Sequence, residues 1–418
     1  MEEFAVRILM LTQWFDPEPA FKGLQFARKL RESGHDVEVL TGFPNYPGGK
    51  LYPKYRIHFW QRESMDGVPV VRVPLYPSHD RSILRRALNY LSFAAAAALL
   101  GPWLVRRPDV IYAYHPPGTV AIPALALGFW FSAPIVYDVQ DLWPDTITSS
   151  GMFRAGLWMR LLDRFCRLAY RCMDAVTVLS PGFKRTLMER GVTADKLHVI
   201  YNWAPEIQST AVVPKEQGSD RFTVAFAGTM GLAQGLDAVM DAAALCSTTV
   251  PRARFLFVGT GVDCGRLRLR AEKMGLLNVE FLGWQPPEIT KAILAEADAL
   301  LVHLKDEPLF SITIPSKTQA YLAVGRPIIM AVRGDAADMV VAADAGVLAE
   351  PGNPQSIADA VRELAELAPE DRERKGRRAK EFYDRKLRMD VGVSKFNEIF
   401  ESVFREHQML TTSDQESS

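Results

Sequence analysis

Cysteine is scarce. Four residues in 418 (Cys166, Cys172, Cys246, Cys264) show no metal-ligand spacing and are too few for a disulfide framework, so a reduced, cytoplasmic setting fits best. Net charge is absent too. Forty-nine Lys and Arg balance 49 Asp and Glu, which argues against a general nucleic-acid binder, whose footprint would be basic. No secretory leader is expected, because Met1-Glu-Glu is acidic and the apolar run that follows is short. A Walker lysine and a Gly-x-Gly-x-x-Gly fingerprint are both missing, so no specific nucleotide is signalled by glycine spacing alone.

What the chain does have is apolar content, 48% of residues, enough for two buried cores of roughly 200 residues each. Two uncharged stretches, 87–105 and 116–137, are long enough to be weighed as membrane spans. The first is Ala-rich and interrupted by Gly101-Pro102; the second carries Pro123 and Pro134. Both sit inside a strand–helix alternation, where α/β proteins bury apolar helices against a sheet. Docking on a membrane surface is the other reading, since Arg81, Arg85, Arg86, Arg106 and Arg107 flank the first stretch and could meet anionic headgroups.

Taken in order, residues 6–12 form a strand, a loop rich in Pro and aromatics follows, and Gly23 opens a helix to about residue 33. Residues 37–41 complete a βαβ unit, whose first loop lies at the edge of the sheet where such folds bind ligands. Gly42-Phe-Pro-Asn-Tyr-Pro-Gly-Gly-Lys50 is a loop; Asn45, Tyr46 and Lys50 could touch an acceptor or simply belong to a structural loop. Further strands are expected at 70–73, 109–114, 135–139, 175–179 and 197–201, with an apolar helix over 81–100. The strand at 109–114 delivers His115 to a sheet edge, a position suited to substrate contact, although a lone histidine is more often structural. Asp138 and Asp141 bracket the end of the strand at 135–139, and Trp143 offers an apolar platform. This half closes at Asn202.

The second half opens with a strand at 222–227 and a turn from Gly228 to Gly235 that includes Thr229, Gly231 and Gln234. Strand, glycine-rich turn and helix form an arrangement that cradles phosphates. Gly259 ends the next strand, 254–259, with Gly261 in its loop, and Trp284 could stack on a base. The stretch 305–327 then crosses a loop into a short helix. Ser316 has the N-cap residue type and Gln319 stands three positions on, which predicts a capping box. Lys317 in the first turn adds a full charge to a helix N-terminus. Capping and anion binding both fit these residues. Residues 393, 396, 399, 400, 403 and 404 recur at helical spacing.

Two α/β halves, a linker and a terminal helix predict two Rossmann-like domains facing a cleft. Gly34-His35-Asp-Val, Thr41-Gly-Phe-Pro-Asn-Tyr-Pro-Gly-Gly49, Asp138-Val-Gln-Asp-Leu-Trp-Pro144, Ser180-Pro-Gly-Phe183, Ile200-Tyr-Asn-Trp203, the 228–235 turn and Ile314-Pro-Ser-Lys-Thr-Gln-Ala-Tyr-Leu-Ala-Val-Gly325 occur together. Over residues 8–404 the chain resembles the retaining GT-B glycosyltransferases that build bacterial surface polysaccharides, above all the O-antigen and colanic-acid subgroup that includes N-acetyl-L-fucosamine transferases. Departures from the family pattern are visible. Its Glu-x7-Glu pair is absent, with Ala320 or Gln319 at the second place, Ile312 or Ser311 at the first, and Glu307 nearby. Its phosphate-loop Arg and Lys appear as Thr229 and Gln234.

The resemblance implies an N-terminal acceptor domain at 1–204 completed by a helix at 386–407, a linker at 205–221, a nucleotide-sugar domain at 222–385 and a disordered tail at 408–418. It implies a metal-independent transferase without a cofactor. A UDP-sugar, of the N-acetylated deoxyhexosamine type on the family's pattern, would be the donor and a polyprenyl-diphosphate-linked sugar the acceptor. The protein would be cytoplasmic and lie on the inner membrane through residues 81–107. His115, Asp141 and Lys317 are the expected catalytic residues. Gly23, Asn45, Tyr46, Asp138, Trp143, Asn202, Gly228, Thr229, Gly231, Gln234, Gly259, Trp284, Lys305, Glu307, Ser316 and Gln319 are the expected substrate contacts, with Arg326 a further cation for the diphosphate. A GT-B-like UDP-sugar epimerase and an inactive sugar-nucleotide-binding homologue are the alternatives.

Overall fold

The computed structural model describes residues 5–79, 82–146, 156–206 and 221–416. The chain divides into two compact units. The first comprises Met1–Leu179, Phe183–Ile200 and Gly392–Ser418; the second comprises Ser180–Gly182 and Tyr201–Val391. Most of the expected linker, residues 207–220, lies outside the described residues.

The first unit carries eight strands, β1 (Arg7–Thr12), β2 (Asp36–Gly42), β3 (Gln61–Met65), β4 (Val68–Val73), β5 (Val110–His115), β6 (Ile135–Val139), β7 (Ala175–Val178) and β8 (Leu197–Val199). They lie in the order β3-β4-β2-β1-β5-β6-β7-β8. All neighbours are parallel except β3, which pairs antiparallel with β4. Central strands such as Val110–His115 are buried along their whole length, as expected where helices cover both faces. The edge strand β3 reads Gln-Arg-Glu-Ser-Met and is half exposed. Its polarity hid it from periodicity.

Helix α1 (Leu24–Glu32) follows β1, and α2 (Ile83–Leu104) and α3 (Ala121–Phe131) flank β5. The sequence predicts a break at Gly101-Pro102, yet α2 runs on to Leu104. Pro102 lies in the last turn, where it forfeits a single backbone bond, and Gly101 lets Leu127 of α3 approach closely. Helices α4 (Leu157–Cys172) and α5 (Pro181–Glu189) complete this stretch of chain.

The second unit has a wholly parallel six-stranded sheet of β9 (Phe222–Ala227), β10 (Ala253–Val258), β11 (Val279–Gly283), β12 (Ala299–His303), β13 (Ile328–Ala331) and β14 (Gly346–Leu348). Their order is β11-β10-β9-β12-β13-β14. Around it lie α6 (Asp237–Thr249), α7 (Cys264–Lys273), α8 (Pro287–Glu296), α9 (Pro308–Ser311), α10 (Ser316–Val324), α11 (Asp335–Ala342), α12 (Pro354–Glu366) and α13 (Pro369–Lys386). The final helix α14 (Met389–Glu416) returns the chain to the first unit. There Phe396 stacks edge-on against Phe26 and Tyr112, and Phe400 against the ring of His35. His35, whose Nδ1 accepts the Val6 N–H, is a packing residue. The expected disordered tail at 408–418 is corrected as far as Glu416. The helix continues through it, with Thr411 and Thr412 hydroxyls donating to carbonyls one turn back.

Candidate functional site

In each unit the strand order reverses at one point, between β1 and β5 in the first and between β9 and β12 in the second. Loops leaving the carboxyl ends of strands diverge there and open a crevice, the usual ligand site of open α/β sheets. The functional side chains are best built up from those two places.

In the second unit, the turn after β9 begins at Gly228 with φ +120°. A Cβ there would stand 2.8 Å from the Lys317 Nζ. The neighbouring strand's Gly259, at φ +126°, would drive its own Cβ to 2.2 Å from the Gly228 carbonyl oxygen. Only glycines let these two loops and the lysine share the space. Lys317 is half-buried, lies 4.4 Å from the centre of the Phe226 ring, and has no carboxylate partner among the described residues. Burial without a counter-charge pulls its pKa down to about 8. It stands in the first turn of α10, a nine-residue helix whose N–H groups point the same way. Lys305 borders the other end of the turn, its side chain packed against Gly235. The turn, Lys317 and Lys305 together make a cationic corner beside a helix N-terminus.

The predicted capping box is not formed. The helix begins one residue earlier than it requires, so Pro315 is the N-cap, Ser316 is exposed in the first turn, and no side chain caps. Gln319 is buried, and its amide satisfies its neighbours when turned so that the nitrogen donates to the Pro315 carbonyl at 2.7 Å. Gln234 does not face a ligand: its side-chain oxygen accepts the Gly231 N–H at 2.9 Å and braces the turn. Its carbonyl is held by His303 Nδ1 at 2.6 Å, while His303 Nε2 accepts the Gly352 N–H at 3.0 Å. That acceptor role requires a neutral ring, and burial lowers the pKa accordingly. His303 was not foreseen, since a histidine inside an apolar strand carries no signal of its distant partners. Thr229 is exposed in the turn, and Trp284 is exposed beyond β11. Glu307 begins α9, its carbonyl accepting the Phe310 N–H. Asn202 falls in the second unit, three residues past the end of β8.

In the first unit, loops and α2 bring together an aromatic wall. Trp14 stacks on Tyr46 at 4.3 Å, His79 meets Tyr46 edge-on at 4.8 Å, and Tyr90 lies 6.3 Å from both Trp14 and Trp143. Trp143 in turn stands 5.6 Å from His115. Asp141 is half-buried beside them. It has no hydrogen bond or ion pair among the described residues, and burial raises its pKa. Its charge is felt at Tyr46 and Tyr114, whose phenols it helps to push up. His115 is fully enclosed, with neither ring nitrogen hydrogen-bonded among the described residues. Burial drives its pKa down to about 3. It is a neutral donor–acceptor waiting for polar partners, not a cation. Trp14, His79 and Tyr90 were not singled out from the sequence, although Trp14 lies in the aromatic loop expected at the ligand edge.

Other expected contacts are occupied by the protein itself. Asp138 is buried, and its carboxylate takes Lys22 Nζ at 2.6 Å, Tyr112 Oη at 2.6 Å, Thr177 Oγ1 at 2.8 Å and Gln140 Nε2 at 2.9 Å. It is a structural hub with no face for substrate. Asn45 is buried, donating to the Phe43 carbonyl and accepting from Asn89. Gly23 leaves room for the Asp16 carboxylate, which takes the Leu24 N–H at 2.6 Å and fills the start of α1. The unforeseen Glu18 organises the acidic side of this region. It is buried and accepts the backbone N–H groups of Asn45 and Tyr46 at 2.7 Å and of Phe15 at 3.2 Å. Burial lifts its pKa to about 7 against the pull of those donors. Glu18→Gln offers one acceptor oxygen to three donors. It is expected to cost about 1–3 kcal/mol, read as a lower urea midpoint, with Tyr46 released from its stack on Trp14.

Residues 24–203 match the family model described as a glycosyl transferase 4-like domain, and residues 210–382 match that described as glycosyl transferases group 1. The chain is 28% identical over 316 residues to an Escherichia coli (strain K12) protein named as a colanic acid biosynthesis glycosyl transferase, WcaI, a match covering 71% of this chain and 75% of the relative. It is 24% identical over 302 residues to a Pseudomonas aeruginosa protein named as the glycosyltransferase WbjE, covering 69% and 74%. Among solved structures it is similar to Anabaena HepE in complex with UDP and glucose, with a TM-score of 0.67, 18% identity, and 95% of this chain and 100% of that one covered. Sucrose-phosphate synthase of Thermosynechococcus elongatus gives the same TM-score at 16% identity over 96% and 100%. At such identities the structural likeness speaks for the two-Rossmann GT-B fold.

Proposed function

Given that the chain is a glycosyltransferase of the GT-B type with relatives in bacterial polysaccharide biosynthesis, we propose that it moves a sugar from a UDP-sugar to a polyprenyl-diphosphate-linked acceptor with retention of configuration. The observation that carries this reading is Lys317, a half-buried ammonium with no carboxylate beside it, at a helix N-terminus against a glycine turn. A diphosphate would supply the counter-charge that no carboxylate of the described residues gives this ammonium. The complexes of HepE with UDP and with UDP-glucose support a uridine nucleotide here, and the resemblance to N-acetyl-L-fucosamine transferases supports an N-acetylated deoxyhexosamine.

In the reaction, the bond from the anomeric carbon to the diphosphate oxygen breaks and its electron pair leaves with the diphosphate. An acceptor hydroxyl forms the new bond from the same face and gives its proton to the departing group. Lys317 and the α10 N–H groups stabilise the growing charge, the role of fixed dipoles in a water-poor site. No step calls on a metal. Asp141, Trp143 and Tyr46 belong to the acceptor side: an aromatic wall takes the apolar face of a sugar ring, and an unpartnered carboxylate accepts its hydroxyls. His115, held neutral, would complete a hydroxyl contact. The protein would work in the cytoplasm at the inner membrane.

The test is a panel of radiolabelled UDP-sugars given to the purified protein with and without a polyprenyl-diphosphate sugar. Acceptor-dependent transfer is expected, with Asp141→Asn lowering kcat about a hundredfold and leaving UDP affinity unchanged. Isomerisation without acceptor, or UDP-sugar binding without any turnover, would overturn the proposal.

A further inference from the structure

Arg326, expected from the sequence as a further cation for the donor diphosphate, stands at the wrong edge of the second sheet for that role. It precedes β13 as Asp298 precedes β12, so both lie at the amino ends of parallel strands. The glycine turn and Lys317 belong to the carboxyl ends. Helix α10 spans the gap, with Lys317 in its first turn and Gly325 as its C-cap. Those two positions are about 12 Å apart along the axis, farther than one diphosphate reaches.

At the amino edge a cavity of about 520 Å³ opens between the end of α10 and the first half of α13. A glycine pair fixes its floor. A Cβ on Gly376 would stand 2.3 Å from the Gly325 carbonyl oxygen, so any side chain there would push the two helices apart. Arg326, Arg372, Arg377 and Lys380 line the cavity against two carboxylates, Asp298 and Glu373. Asp298 is engaged by the Thr223 N–H at 2.8 Å, and Glu373 meets Arg377 only at 3.8 Å with both groups exposed. Arg372 is anchored, its Nη1 donating to the Leu367 carbonyl and its guanidinium 5.6 Å from the centre of the Phe222 ring. Arg326 is half-buried, and its guanidinium has no hydrogen bond or ion pair among the described residues. The helix ends oppose one another here, α13 presenting its N-terminus at Pro369 and α10 its C-terminus at Gly325. Their dipoles roughly cancel, and the side-chain charges decide.

Other cations of this chain are spent on carboxylates. On the far side of α13, Arg374 pairs with Asp371 and Lys375 with Asp344. Of the arginines flanking α2, Arg106 is held by Asp36 at 2.8 and 2.9 Å, and Arg81 lies outside the described residues. The lining of the cavity departs from that pattern, with an excess of cations and one half-buried guanidinium unanswered.

We infer that this cavity is a second anion site, separate from the donor site, for a small phosphorylated ligand carrying at least two negative charges. Guanidinium groups grip phosphoryl oxygens in bidentate pairs. The volume falls within the usual range of small-molecule sites and exceeds the need of a lone phosphate. The same chemistry is offered by inorganic diphosphate and by a sugar phosphate. The inference does not depend on the transferase reading, because it is scored by binding without turnover.

The experiment is a calorimetric titration of the full chain with pyrophosphate and, separately, with glucose 1-phosphate. Lys317→Ala serves as the parent, so that the donor turn is silenced. The parent is expected to bind one or both probes, and the stronger of the two identifies the source. Adding Arg326→Gln and Arg377→Gln should weaken that binding by about tenfold or more. The thermal melt should hold, since one side chain is exposed and the other unpaired. Should Arg326→Gln lower the melt, Arg377→Gln with Lys380→Gln makes the same test at two exposed positions. In the chain that keeps Lys317, Arg326→Gln with Arg377→Gln should change UDP affinity by less than about twofold, as expected for distant sites. The inference is overturned if the parent binds neither probe, or if the added substitutions leave the binding unchanged. It is overturned too if they abolish UDP binding, which would make the cavity part of the donor site.

Discussion

Lys317→Ala is expected to weaken UDP binding by about tenfold to a hundredfold, the worth of one charge-assisted contact of roughly 1.5–3 kcal/mol. Turnover should fall further, because charge on the leaving diphosphate grows in the transition state. Stability should hold, since the variant removes a half-buried cation that has no carboxylate beside it. The pH dependence gives an independent reading. Folding lowers this lysine's pKa from 10.5 to about 8. Between those values only the unfolded chain still carries the proton, so ligand-free stability gains from this group as pH rises through that window. Anion affinity runs the other way. Lys317 loses its charge above about pH 8, and UDP affinity should decline there. Lys317→Arg keeps the charge and should flatten that decline in a calorimetric titration. Gln319→Ala is the control, losing the bond to Pro315 and some stability without altering UDP affinity. Normal UDP binding by Lys317→Ala would move the diphosphate elsewhere.

Asp138→Ala should have the largest effect on folding. It strands the Lys22 ammonium, fully buried, and strips the hydroxyls of Tyr112 and Thr177 of their shared acceptor. Removing one member of a buried ion pair costs about 3–5 kcal/mol, against a total stability of roughly 5–15 kcal/mol for a domain. Urea unfolding should show it, and expression should drop. The pair itself contributes far less than its loss costs. Combining Lys22→Met with Asp138→Leu, which removes both charges together, should recover most of the deficit. An unchanged midpoint in Asp138→Ala alone would mean that the hub is not load-sharing with the core. Lys22 also lies 5.0 Å from the centre of the Phe396 ring on α14, so the variant should loosen the terminal helix first, visible as faster amide exchange there.

Strand and helix alternation was legible because buried parallel strands leave unmistakable apolar runs. Residues 135–139 and 222–227 were placed to the residue, and the glycine-rich turn and the short helix that carries Lys317 follow strands where the alternation put them. The polar edge strand β3 and the unbroken end of α2 were not, since both are decided by neighbours: a β4 to pair with, and a Leu127 for Gly101 to admit. The same holds for the continuation of α14 to Glu416.

The aspartates show the division most clearly. Asp138 and Asp141 stand three residues apart and read alike as candidates for a ligand at a sheet edge. Asp138 is consumed by a lysine 116 positions earlier in the chain, while Asp141 is left half-buried with its carboxylate unanswered among the described residues. The sequence by itself determined the two sheets, the loops that leave their carboxyl edges, and the residue types gathered there. Only the tertiary structure decided which of those polar groups are already satisfied by the protein and which still need a partner. Hydrogen bonds and ion pairs in a parallel α/β fold close between elements far apart in sequence, so a residue's local neighbours carry no trace of them.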